Sequence, residues 1–323
     1  MTMAARIFTD EKPFDHVTVM LAEAIDALAP RRNGLYVDAT VGGAGHATAL
    51  LERAPEARLL AFDRDPTAVD VARRRLEPFG DRARVERCSF SEIPEWLSAS
   101  GIDGVDGLLA DLGVSSPQFD DAERGMSFRF EGPLDMRMDP TTGETALELI
   151  ERLSQDELAD AIYQFGEEHR SRRVARCIKQ SFEAGELSTT LDLRRAVVRA
   201  VGPRRVGGVD PATRTFQALR ILVNGELDEL AALLDAAPNL VKPGGTAVFI
   251  SFHSLEDRLV KRAFRERSLW ERLSKKPVIP GDAEQAENPR SRSAKLRAAQ
   301  RVDLDGFDTT NDEPSSERSG EDE

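Results

Sequence analysis

Four short apolar runs lie at regular intervals in the first third of the chain: residues 34–38, 58–63, 83–88 and 105–111. Three of them end in an acid, at Asp38, Asp63 and Asp111. Between them the spacing of apolar positions turns helical, over 46–54, from Pro66 to about Phe79, and from Ser91 to Ser98. Pro66 suits the first turn of a helix, where no backbone N–H is needed. Short strands alternating with helices predict an α/β fold, a parallel sheet with helices on both faces.

A fifth strand is predicted at 245–252, introduced by Lys242-Pro-Gly-Gly245 as a turn. A long amphipathic helix from about Thr215 to Leu234 precedes that turn. A strand–helix–strand unit takes roughly 30 residues, yet the fourth and fifth strands are some 130 apart. About 90 residues, near 125–213, are therefore surplus to the sheet, and their periodicity is helical at 146–152, 156–165, 170–183 and 191–201. They read as a helical domain inserted at the carboxyl edge of the sheet, where ligands bind in such folds. Residues 302–323, rich in Asp, Glu, Ser and Gly, read as a disordered acidic tail.

Composition narrows the class. No run of about 18 apolar residues exists to span a membrane, and the N-terminal MTMAARIFTDEKPF lacks an apolar signal region. With only two cysteines, Cys88 and Cys177, there is neither a disulfide framework nor a zinc cluster, which fits a cytosolic protein. The net charge of −13 argues against a generally basic nucleic-acid binder, but it is unevenly spread. Residues 302–323 carry nine acids and one Arg, whereas ten Lys/Arg meet three Asp/Glu between His169 and Arg205, a local +7 suited to phosphates.

The segment Asp38-Ala-Thr-Val-Gly-Gly-Ala-Gly-His46 joins a strand to a helix through glycines, letting backbone N–H groups close on a nucleotide-like ligand. Asp63 closes the second strand 25 residues after Asp38, where an acid accepts from a ribose diol; NAD and S-adenosylmethionine both fit this. The glycine spacing is not G-x-G-x-x-G, and no Gly-Lys-Ser/Thr is present for a triphosphate. Phe90 stands where it would cover an adenine face, and Lys-Pro-Gly-Gly before the fifth strand resembles S-adenosylmethionine-dependent methyltransferases. These features favour S-adenosylmethionine over a nicotinamide cofactor. No Cys or carboxylate is spaced around His46 as a ligand set, and no metal is expected.

After the fourth strand comes Asp111-Leu-Gly-Val-Ser-Ser-Pro-Gln-Phe119. Ser116-Pro-Gln-Phe119 approximates the Asp/Asn/Ser-Pro-Pro-Tyr/Phe loop of enzymes that methylate amines on bases. An exocyclic amine is a poor nucleophile, because its lone pair is delocalised into the ring. Acceptors near its N–H groups turn that lone pair toward the methyl group. Ser116 and Pro117 are candidates for this, with a plain turn as the alternative. Ser254-Leu-Glu-Asp257 reads as a helix cap box, and Asn288-Pro-Arg-Ser-Arg-Ser293 as a loop or a phosphate-binding stretch.

DATVGGAGH, AFDRDP, DLGVSSPQFDDAERGMSFRFEGPLDMRMDP, FGEEHRSRRVARCI, PATRTFQALRILVNGEL, PGGTAVFISFHSLEDRLVK and NPRSRSAKLRAAQR occur in this order. Together they closely resemble the bacterial family that methylates cytosine N4 in 16S ribosomal RNA, over residues 14 to 301. The resemblance departs at Asp210, where His is usual. It implies a Rossmann-like class I methyltransferase domain at 14–124 and 214–301, with the helical domain at 125–213 recognising substrate. By match, Ala44, Gly45 and His46 would contact S-adenosylmethionine, Asp63 its ribose and Phe90 its adenine region; Asp111 and Gln118 also fall on cofactor-binding positions.

The implied substrate is a cytosine in the decoding region, within the small subunit or an assembly intermediate. A folded RNA would bury that amine, so the base is expected to be extruded into a pocket between sheet edge and insert. Asp111, Ser116 and Pro117 are the candidates for the chemistry, and Arg170, Arg172, Arg173, Arg194 and Arg195 for the RNA backbone. DNA amino methylation and a ribosome-assembly role with a vestigial cofactor are the competing readings. The oligomeric state is left open by the sequence, a homodimer included.

Overall fold

The computed structural model describes residues 18–203 and 209–303. Helix α1 (Leu21–Leu28) precedes the alternating half: β1 (Leu35–Asp38), α2 (Gly45–Arg53), β2 (Arg58–Asp63), α3 (Pro66–Leu76), β3 (Ala83–Arg87), α4 (Ile93–Ala99), β4 (Val105–Asp111) and the short α5 (Ser116–Asp120). Then come α6 (Ala146–Arg152), α7 (Gln155–Gly166), α8 (Ser171–Glu183), α9 (Thr190–Val201) and α10 (Thr213–Asn224). The chain returns to the sheet through α11 (Glu226–Leu240), β5 (Val241–Ser251), α12 (Ser254–Ala263), β6 (Trp270–Arg272), α13 (Asp282–Glu287) and β7 (Lys295–Arg301). Most of the predicted acidic tail, 304–323, lies outside the described residues, as do 204–208 with two Arg of the basic stretch.

The seven strands form one sheet in the order β3-β2-β1-β4-β5-β7-β6. The first five are parallel, β7 runs antiparallel to β5, and β6 antiparallel to β7. Successive strand residues point to opposite faces, and both faces are covered. Leu59, Leu109 and Val248 face Leu50, Leu51, Val69 and Leu76 in one apolar cluster. Their neighbours Leu60, Leu108 and Phe249 join Leu97, Leu233 and Val260 in a second. Burial on both sides explains the nearly unbroken apolar runs of the sequence. This is the Rossmann-like α/β architecture that the sequence predicts.

A third cluster holds Leu149, Ile150, Leu158, Ile162, Val174, Ile178, Leu193 and Val197 of α6 to α9, together with Phe216 and Leu219 of α10. Three of these helices, α6, α7 and α9, begin on side-chain caps that the sequence supplies: Thr145, Ser154 and Thr189 each accept from the backbone N–H three residues on.

Two predicted elements differ from those observed. The helix expected from Thr215 to Leu234 is two helices, broken at Gly225, whose φ of 58° is left-handed. The Lys242–Gly245 turn is a bulge inside β5: Val105 pairs with Val241, and Gly107 already pairs with Thr246.

The break between α10 and α11 is pinned to the segment before α6. Asn224 accepts from Met138 N (2.7 Å) and donates to the carbonyls of Met136 (2.8 Å) and Arg220 (2.9 Å). Met136 itself has φ 63°, a costly conformation for a bulky residue that these bonds hold in place. Asn224→Ala leaves three backbone groups, two of them in the Met136–Met138 segment, without these partners. It is expected to cost about 2–4 kcal/mol of unfolding free energy. Chemical denaturation of the two proteins side by side checks this.

Candidate active site

The order of strands reverses between β1 and β4, which opens a crevice beyond their carboxyl ends. The loops after β1, β2, β3, β4 and β5 meet there and line a cavity of about 470 Å³ with residues of α10 and α11. That volume is typical of a small-molecule site. Of the predicted cofactor residues, Gly45, His46, Asp63, Phe90, Asp111 and Gln118 line it; Ala44 is buried beside it at the start of α2.

The turn after β1 is held in a tight form. Gly42 (φ 45°) and Ala44 (φ 60°) are both left-handed, and Arg75 donates to the carbonyl of Gly43 at 2.6 Å. A Cβ on Gly45 would stand 1.8 Å from Thr18 Oγ1, so a larger residue there would displace Thr18. Asp63 accepts from Gly42 N (3.0 Å) and Asp65 N (2.9 Å), which ties the end of β2 to the turn. His46 Nε2 lies 3.1 Å from the carbonyl of Val19, and Nδ1 lies 3.9 Å from Asp111 Oδ2. A hydrogen bond to that carbonyl places the ring proton on Nε2 and leaves Nδ1 facing the carboxylate.

Three acids at this edge are held away from water. Burial, together with the charge of Asp63, pushes Asp38 up to about 7, although Thr40 N–H donates to it. Burial pushes Asp63 up to about 6 against its two backbone hydrogen bonds. Asp111 is raised well above the usual range by burial and by the charges of Asp38, Glu256 and Glu284. Its Oδ1 is buried and has no hydrogen-bond partner. An acceptor in that state awaits an N–H or O–H that arrives with a ligand.

Gln118 has a structural duty as well as its place on the wall. Its Oε1 accepts from Ser115 N (2.9 Å) and its Nε2 donates to Asp65 Oδ2 (2.7 Å), the oxygen that also receives Arg124 at 2.7 Å. Ser116 opens α5 and Pro117 sits in its first turn; Pro117 is outside the cavity lining, whereas Ser115, Gln118 and Phe119 belong to it. Arg290, from the Asn288–Ser293 stretch, pairs with Asp120 at 2.6 Å on the same rim.

The far wall was not foreseen from sequence. His253, rather than Ser254, caps α12: its Nδ1 accepts from Glu256 N at 3.3 Å. Arg220 of α10 makes a two-pronged pair with Glu226 of α11, at 2.7 and 2.8 Å. Glu226, His253 and Glu256 bring polar atoms within 4.8 Å of one another. A cation would find both oxygens of Glu226 already engaged by the guanidinium. Burial works to raise Glu256, but His253 and the N–H of Phe252 hold it below the usual range. Each pair is local in sequence, His253 with Glu256 as a capping box and Arg220 with Glu226 across the helix break, but no pattern joins one pair to the other; the only signal was the Ser-Phe-His-Ser-Leu-Glu-Asp-Arg string.

The basic stretch divides. Arg170, Arg172, Arg173 and Arg176 surround a surface hollow with Tyr163 and His169, whose rings lie 6.3 Å apart. Within it Arg172 pairs with Asp156 at 3.3 Å, while the side chains of Arg173 and Arg176 are unpaired among the described residues. Arg194 pairs with Asp210 at 2.8 Å and Arg195 with Asp192, which lowers their availability to phosphates. Asp210, the departure noted in the sequence, thus has a partner in α9.

The model of the MraW methylase family matches residues 13–302. Ribosomal RNA small subunit methyltransferase H of Sorangium cellulosum is 66% identical over 287 residues, covering 89% of this chain and 91% of that protein. The protein of the same name from Synechococcus elongatus is 48% identical over 291 residues (90% and 95% covered). That of Geobacter sulfurreducens is 47% identical over 312 residues (90% and 99% covered).

If Asp63 holds the ribose, as the sequence assigns it, its ionised form is the one that accepts from both hydroxyls. With a value of about 6, it takes up a proton as pH falls through that point. Affinity for S-adenosylmethionine is therefore expected to be level above about pH 7 and to fall by up to about tenfold per unit below about 6. Calorimetric titration across this range checks it. In Asp63→Asn the affinity should be weaker throughout and lack that step.

Proposed function

The chain belongs to the MraW methylase family, and from that premise we propose that it methylates small-subunit ribosomal RNA, at the exocyclic N4 of a decoding-region cytosine. Its cofactor is S-adenosylmethionine, which supplies a methyl group on a sulfonium and so needs little acid catalysis. The residues present fit that molecule. The left-handed glycine turn and the α2 N-terminus offer backbone N–H groups, Asp63 an acceptor for the ribose, and Phe90 a ring for the adenine.

The observation that carries the reading is the buried, unpartnered Oδ1 of Asp111, at the junction between the cofactor side of the cavity and the α10–α11 wall. We assign to it an N–H of the exocyclic amine. Held by such an acceptor, the amine keeps its lone pair out of the ring plane and turned toward the methyl. Ser116 and Pro117 take part through the loop they build, which presents Ser115, Gln118 and Phe119.

Cysteine chemistry supports the amine over the ring. Methylation at cytosine C5 requires a thiolate to add to the base first. Burial, with the nearby Glu92, pushes the Cys88 thiol up to about 12. Cys177 is buried in the core of the insert, away from the cavity. Neither is available as a nucleophile at neutral pH.

A paired or stacked cytosine cannot reach such a cavity, so the base is turned out into it. The hollow on α7 and α8, with two unpaired guanidiniums beside Tyr163 and His169, is a surface for the RNA backbone and a stacked base. The partner is 16S ribosomal RNA in the small subunit or an assembly intermediate, met in the cytosol.

The deciding experiment incubates the protein with labelled S-adenosylmethionine and undermethylated small subunits, then identifies the labelled nucleoside by mass spectrometry. N4-methylcytidine at one site is expected, and duplex DNA should remain unlabelled; label on C5, or none, sinks the reading. In the same assay, at saturating cofactor, Asp111→Asn should lose at least about 100-fold in turnover. Reversing Arg173 and Arg176 to Glu should weaken RNA binding at least about tenfold at low salt. It should also flatten the salt dependence and leave cofactor affinity unchanged.

A further inference from the structure

The wall formed by α10, α11 and the start of α12 holds a buried histidine whose second nitrogen makes no well-aligned hydrogen bond, its near neighbour being the carboxylate of Glu256. The Nδ1 of His253 accepts from Glu256 N, so the ring proton resides on Nε2. Nε2 is buried without a hydrogen-bond partner, in a side chain only 10% exposed. Beside it, 3.2 Å away, is Glu256 Oε1, which the imidazole helps to keep ionised. The other oxygen of Glu256 is spent on Phe252 N (2.8 Å) and His253 N (3.2 Å), which fixes the carboxylate in place. The wall thus presents one donor and one acceptor side by side, both held by the backbone at the start of α12.

The surroundings limit what can bind. Arg220 with Glu226 and Glu256 sums to one negative charge, and Asp111 adds to it in its ionised form. Beside these carboxylates, a group with N–H donors is favoured. The end of β5 also adjoins the loop after β4: Leu112 N donates to the carbonyl of Ile250 at 2.8 Å, and a Cβ on Gly113 would lie 3.2 Å from the Phe252 ring.

We propose that His253 Nε2–H and Glu256 Oε1 form a subsite that reads the Watson–Crick edge of the target cytosine. The imidazole donates to N3 and the carboxylate accepts from N4–H. This rests on the proposed reaction and deepens it. Asp111 takes the other N4–H and would receive that proton as the amine gains its methyl, which frees the lone pair from the ring as the new bond forms. Uracil inverts the pattern: its O4 faces the carboxylate and its N3–H faces the imidazole N–H. Two buried mismatches of this kind reject a base far more strongly than a missing contact would.

The test pairs protein variants with an altered base in reconstituted small subunits carrying either cytidine or 3-deazacytidine at the target. The deaza base has C–H in place of N3 and retains its amine. His253→Asn keeps an oxygen at the Nδ1 position, to cap α12, and deletes the Nε2–H. His253→Gln puts an amide N–H near the Nε2 position instead. Wild-type protein should lose about 100-fold in kcat/KM on 3-deazacytidine. His253→Asn should lose about as much on cytidine and nothing further on 3-deazacytidine. His253→Gln should recover part of the cytidine activity, and cofactor affinity should hold in all three proteins. Losses that multiply, or a wild type indifferent to N3, overturn the subsite while leaving the methyl transfer intact. A wild type that cannot methylate the cytidine substrate overturns the reaction itself, and the subsite with it.

Discussion

Everything at the ligand edge hangs on the parallel ladder between β1 and β4. Tyr36 pairs with Gly107, Val37 with Leu108 and Asp38 with Leu109, in the middle of the sheet. There is no slack in it: a Cβ on Gly107 would come within 2.7 Å of Leu28 and 2.9 Å of the Tyr36 ring. Because the chain leaves this pair in opposite directions, the two following loops splay apart and a crevice opens between them. The same ladder places Asp38 and Asp111 at neighbouring strand ends, with Asp63 one strand away. A one-residue slip would turn each of these acids to the other face.

Concentrating acids in a dry crevice is unfavourable by itself. Asp38 and Asp63 titrate at about 7 and about 6, above their unfolded values, so the stability they contribute is present in acid and is lost as pH rises through those values. At neutral pH the ligand-free edge is therefore destabilised by its own charge. A cationic cofactor and an amine-bearing base are ligands of the sign that relieves it. On this view the edge that binds is also the edge that most needs a ligand, and the cost falls on the rigid sheet rather than on the helical insert.

Much of this was readable in the sequence, for identifiable reasons. β2 and β4 lie where their apolar runs predicted, because strands buried on both faces leave no polar alternation to blur their ends. That helices fill the long stretch between β4 and β5 was legible by arithmetic and periodicity alone. What escaped was set by tertiary contacts. Gly225 ends a helix that its flanking periodicity would continue, because Asn224 is engaged with Met136 and Met138, far away in sequence. The two antiparallel edge strands escaped as well: β6 is three residues long, and β7 (KLRAAQR) carries polar residues that read as loop. At the site, the glycine turn and Asp63 announce themselves locally. The His253 wall does not, since α10, α11 and the end of β5 supply one part each. The reading of Ser254 as a cap missed by one residue, because a histidine nitrogen seldom does the work of a hydroxyl.

The position of the insert also governs the order in which the chain can fold. β4 and β5 are neighbours in the sheet, yet 129 residues, 112 to 240, separate them. Closing a flexible loop of that size is entropically costly, and it is slow to search. The third apolar cluster offers a way round this, since α6 to α10 can collapse on one another before β5 exists and so bring the ends of the loop together. During synthesis, β1 to β4 would then wait with one edge of β4 unpaired until the insert has condensed and β5 has emerged. That bare edge is the protein's most exposed moment, and the speed at which the helical insert condenses determines how long it lasts.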